Sequence, residues 1–67
     1  MNVDSIGLWA GMIWNALDAE GTLSVKKIKK ATKLKDKEIF AALGWLSREG
    51  KINLAENDTD VMVSLVG

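Results

Sequence analysis

The apolar residues of this chain change their spacing once, after Gly50, and that change constrains the fold more than any other feature. Before it, apolar positions recur at intervals of three and four; after it, Ile52 and Leu54 alternate with Asn53 and Ala55. The first spacing puts side chains on one face of a helix, the second on one face of a strand. A chain of 67 residues with helical segments first and strands last reads as one α+β domain. At that length only about 60% of the unfolded chain's surface can be buried, so nearly every apolar stripe must contribute to one core.

Three helices are expected, over about residues 5–19, 25–32 and 37–49, followed by a wing over about 51–66. In the first, Ile6, Trp9, Ala10, Ile13, Ala16 and Leu17 share a side at about 100° per residue. Asp4 or Ser5 can cap it, and Gly21 can close it in the left-handed conformation. Ser24 caps the second helix, whose inward residues are Val25, Ile28 and Ala31. Lys33-Leu34-Lys35 makes a turn, and Asp36 caps a third helix that Gly50 closes. Its inward stripe is Ile39, Ala42, Leu43 and Leu46; its outward stripe is Lys37, Ala41, Gly44 and Arg48, with Phe40 and Trp45 on the boundaries. Two β-type runs flank the turn-rich acidic loop Glu56–Asp60 and predict an antiparallel hairpin, with Thr22–Ser24 available as a third short strand. The expected core is Ile6, Trp9, Ile13, Leu17, Leu23, Val25, Ile28, Leu34, Ile39, Leu43, Leu46, Ile52, Leu54, Val63 and Leu65.

A short second helix, a three-residue turn and a longer third helix form a helix-turn-helix unit, and a hairpin directly after it is a wing. The chain resembles winged helix-turn-helix domains from about Ile6 to Val66. The phrase Ala42-Leu43-Gly44-Trp45-Leu46-Ser47-Arg48-Glu49-Gly50-Lys51-Ile52, after Gly11-Met12-Ile13-Trp14-Asn15-Ala16-Leu17, is similar to a family of small, stand-alone bacterial winged-helix proteins of unassigned function. The Leu-x-x-Glu-Gly-Lys-Ile part is common to many winged helices, because it ends the recognition helix and opens the wing. The resemblance implies that the second helix and the turn lie near a DNA backbone.

The net charge is zero, but its distribution is uneven. Residues 26–37 hold seven lysines against the single Asp36, a net +6, and the remainder, with two cations against eight acids, is −6. Lys26, Lys29, Lys30, Lys33, Lys35 and Lys37 are the candidate contacts to the phosphates of double-stranded DNA, with Arg48 the one forked side chain able to reach a base. Two features oppose DNA binding. The outward stripe of the third helix offers little to read bases with, and Glu56, Asp58 and Asp60 would repel phosphates near the wing. A winged-helix module that binds protein, its lysines serving solubility, is the alternative.

The chain also carries more apolar surface than one small domain can hide. Leu8, Met12, Trp14, Met62 and Val66 have no place in the expected core, and Gly7 and Gly11 stack on one face of the first helix, where another backbone could approach closely. These seven residues are the candidate interface of a homodimer, with Trp14 the best single candidate. Trp45 is expected either to pack on the wing as a boundary core residue or to stand exposed beside Ala41 as a partner anchor, the first being favoured.

Catalysis has little to start from. There is no histidine and no cysteine, so the commonest general base, the commonest metal ligand and any thiolate site are missing. The carboxylates are scattered, Glu56–Asp60 does not fit a calcium loop, and no glycine-rich phosphate loop exists. No enzyme, cofactor, catalytic residue or metal ligand is expected. No apolar run approaches the ~20 residues of a membrane span, and Met1-Asn2-Val3-Asp4 lacks a basic leader, so no membrane partner and a cytoplasmic location are expected.

Overall fold

A computed structural model describes residues 1–67. The elements in chain order are α1 (Val3–Glu20), β1 (Leu23–Ser24), α2 (Val25–Thr32), α3 (Asp36–Arg48), β2 (Ile52–Glu56) and β3 (Val61–Leu65). The strands form an antiparallel sheet in the order β1-β3-β2. Leu23 faces Val63 on one side of β3, and Leu54 faces Val63 on the other. The expected hairpin is therefore the outer part of a three-stranded sheet, and the last strand is its centre.

The helix ends differ in detail from expectation. α1 starts two residues early because Asn2, rather than Asp4 or Ser5, caps it: the Asn2 Oδ1 accepts the Ser5 N–H at 2.8 Å. Asp4 then sits in the first turn, where its charge faces the positive end of the helix. Gly21 ends α1 with φ 83° and ψ −135°, a positive-φ conformation outside the left-handed helical region. α3 begins at Asp36 and not after it. Lys35 holds the cap position and its N–H donates to Glu38 Oε1 at 2.8 Å, which leaves Asp36 free for another partner. α3 also ends at Arg48, one residue early.

The core forms where α1 crosses α3, both meet α2, and the sheet packs against them through β3 on α1 and α2 and β2 on α3. Ile13, Leu17, Ile28, Ile39 and Val63 are its most deeply buried large side chains, and Ala10 and Ala42 are enclosed with them. Leu54 is a correction: it is 50% exposed, because on the edge strand β2 only the root residue Ile52 is covered. Ile6, Trp9 and Leu65 are half-buried at the rim rather than inside. Met62 is half-buried in the sheet, so it contributes less to the open surface than the dimer expectation assumed. No helix is long and apolar enough to cross a membrane.

Candidate nucleic-acid interface

α2 has two sides because its apolar residues fall at every third position. Val25 and Ile28 are buried, and every lysine of the helix lies outside. Its start is fixed twice. Ser24 Oγ accepts the Lys27 N–H at 3.2 Å, and Asp60 Oδ2, arriving from the wing, accepts the Lys26 N–H at 3.4 Å. Its end is closed by Lys33, whose N–H donates to the Lys29 carbonyl at 2.8 Å with φ 64° and ψ 14°. Lys33 is the only non-glycine residue of the chain with positive φ. Leu34 is buried beneath the turn, and its N–H donates to Thr32 Oγ1 at 3.3 Å.

The outcome is a basic surface with little internal neutralisation. Lys26, Lys27, Lys29, Lys30 and Lys33 surround an open trough of about 640 Å³ that also touches Ser24 and Leu34. Lys35 and Lys37 are exposed at the start of α3. One ion pair forms, between Lys29 Nζ and Asp36 Oδ1 at 3.1 Å, and both groups are solvated, so it holds its cation weakly. The other six lysines have no carboxylate partner.

α3 offers less. Lys37, Phe40, Gly44, Ser47 and Arg48 are exposed along α3, and Ala41 is half-buried. Arg48 stands at the last helical position beside Trp45 and Glu49, far along the helix from its leading end. At the wing tip Asn57 Oδ1 accepts from the Thr59 N–H, the Thr59 hydroxyl and the Asp60 N–H, a compact Asx turn. Glu56 and Asp58 are exposed there, while Asp60 is occupied at the start of α2 and also accepts the Val61 N–H at 2.7 Å.

Trp45 faces α1 on one flank. At 36% exposure it borders a 260 Å³ groove between α1 and α3 that Trp14, at 37%, borders from the other side, with Gly7 and Gly11 between. An added Cβ on either glycine would meet no atom within 4 Å. Leu8, 68% exposed, and Met12 project from α1 outside the groove, and Val66 is exposed beyond β3. Among the candidate dimer residues, Gly7, Gly11 and Trp14 therefore share one groove, whereas Met62 and Val66 lie elsewhere. No cluster of acids that could hold a metal ion is present.

Three helices, a turn between the second and third, and a wing paired to a strand before α2 already define the architecture. Over residues 1–65 the sequence matches the model of the winged helix-turn-helix domain DUF2582. The chain belongs to this family. The solution NMR structure of protein BT2368 from Bacteroides thetaiotaomicron is similar to this DUF2582 domain, with 25% identity and a TM-score of 0.84 over 97% of this chain and 79% of that one. No curated protein matches the chain.

Three features of the site leave no local mark in the sequence. The exposure of Phe40 is one, because a helical projection puts the ring on a boundary and does not say whether a neighbouring element covers it. Lys33 carried no left-handed signal, because such positions favour Gly or Asn. Asp60 meets Lys26 across 34 positions, which no local pattern encodes.

Proposed function

We propose that this DUF2582 protein is a small cytoplasmic DNA-binding module, of the kind used in transcriptional regulation, that grips duplex phosphates through α2 and its turn. The observation that carries this reading is the exposed lysine surface of segment 26–37: five lysines surround the α2 trough, and six of the seven in the segment have no ionic partner. Lys33 adds support: a position whose backbone favours glycine holds a lysine instead, and strain of this kind is often kept where a side chain has a task. Asp60, the wing acid nearest α2, is engaged in capping, which leaves Glu56 and Asp58 as the exposed acids of the loop.

Lysines act as point charges on phosphates and read no sequence, so affinity should come from counterion release. Binding to mixed-sequence duplex is expected to be micromolar or weaker and to fall with salt at a slope near 0.9 per phosphate contacted. Fluorescence anisotropy over a salt series checks this. Lys30→Ala with Lys33→Ala should weaken unrelated duplexes equally and reduce the slope by about 2. Arg48→Ala should matter less. Absence of any binding at low salt would favour the alternative, a protein-interaction module, for which the sparse α3 surface speaks.

The same protein is proposed to act as a homodimer through α1. Leu8, Met12 and Trp14 expose large apolar side chains beside an open glycine-floored groove, so one helix supplies both projections and a hole, as a two-fold interface requires. A standard interface takes about 800 Å² per partner, close to a fifth of the 4457 Å² accessible here. Light scattering giving 7.3 kDa at high micromolar concentration would refute it.

A further inference from the structure

The exposed aromatic on the recognition helix is unexplained by phosphate contact. Phe40 is 53% exposed and belongs to neither the core nor the residues packed against it. It occupies the fifth position of α3, in the leading half that enters a groove in helix-turn-helix domains. Lys37 stands one turn before it on the same helix, and Lys33 and Lys35 precede the helix in the turn. One turn after it comes Gly44, where an added Cβ would meet nothing within 4 Å, so bare backbone follows the ring. The leading half of α3 thus presents one large apolar group, a phenyl ring one turn after Lys37 and after Asp36, whose carboxylate is paired with Lys29.

We infer that Phe40 reads the 5-methyl group of thymine in the major groove. The inference rests on the DNA-binding reading above. A phenyl ring has no donor or acceptor, so it cannot use the hydrogen-bond code of the base edges. The one apolar feature that the major groove displays is the thymine methyl. Charge selects the occupant. A second copy meeting this ring through the same face, as a two-fold contact would, would bring one +6 segment against another, whereas a polyanion is complementary to the lysines around it. The glycine beyond the ring removes the side chain that would hold the helix away from the groove floor. The expected result is a module of weak sequence preference, set by where thymines fall rather than by forked contacts.

Replacing thymine by uracil removes that methyl and little else. Anisotropy at low salt with a thymine-rich duplex and its uracil-substituted counterpart, for the natural protein and for Phe40→Ala, tests the inference. The natural protein should bind the thymine duplex about three- to fivefold more tightly for each methyl contacted. Phe40→Ala should lose this preference, bind both duplexes like the natural protein binds the uracil one, and keep its salt slope. Phe40→Leu, which stays apolar, should restore part of the preference. Unchanged thermal melting excludes misfolding as the cause, since the ring lies outside the core. Binding by the natural protein without a thymine preference overturns the role of Phe40 and leaves phosphate binding intact. Equal loss on both duplexes in Phe40→Ala overturns it as well. No binding to either duplex overturns both readings.

Discussion

Asp60 shows how a residue's charge and its task can differ. By charge alone it repels phosphate; by position it holds the start of α2 through the Lys26 N–H. Capping contacts of this kind contribute about 0.5–2 kcal/mol. Asp60→Ala is expected to cost about 1 kcal/mol in urea denaturation, while Asp58→Asn, at an exposed position without such a contact, should cost nothing measurable. Equal behaviour of the two would remove the capping role. Lys33 shows the converse conflict. Its left-handed backbone costs about 1 kcal/mol that glycine would avoid, partly offset by glycine's freedom in the unfolded chain. Lys33→Gly should therefore stabilise the fold by about 0.5 kcal/mol and weaken DNA binding, a separation that denaturation and anisotropy on one variant reveal. Neither effect was legible in the sequence, because one depends on a contact across 34 positions and the other on a dihedral angle that lysine seldom adopts.

At the scale of elements the sequence was far more informative. Stripes at Ile13–Leu17, Val25–Ile28 and Ile39–Leu46 placed three helices within two residues of their ends, because helical packing repeats locally and leaves a regular trace. Leu54 failed because alternation gives the face of a strand and not whether anything lies above it; β2 is an edge strand, covered only at Ile52. Trp45 shows a related limit: a helical projection puts it on a boundary without naming its neighbour, and α1 borders its exposed flank in the groove. The glycines of α1 separate fold from assembly. Gly7 and Gly11 each forgo about 1 kcal/mol of helix propensity relative to alanine, and a Cβ at either has room. Gly7→Ala and Gly11→Ala should each raise the stability of the monomer by 0.5–1 kcal/mol while filling the groove. If α1 forms the dimer, sedimentation equilibrium will show both variants dissociating at higher concentrations than the natural protein. Unchanged association would move the interface elsewhere.

The whole molecule is neutral yet polar, with +6 gathered in twelve residues and −6 spread over the rest. That division was visible from residue order alone, and the fold keeps the lysines on the surface by burying Val25, Ile28 and Leu34 beneath them. The sheet has a different organisation. β3 is the partner of both other strands, and its pairing with β1 joins Leu23 to Val63, forty positions apart. Contacts within helices close in about a microsecond, whereas pairings that span such a distance wait on loop closure. Pulse-labelled hydrogen exchange during refolding should protect amides of α1 and α3 before those that β1 exchanges with β3; simultaneous protection would contradict this order. Ser24 belongs to β1 and also caps α2. The lysine-bearing helix is therefore moored, through its cap, to the longest-range pairing of the sheet, so an incompletely folded chain would carry the full positive charge without the surface that orders it.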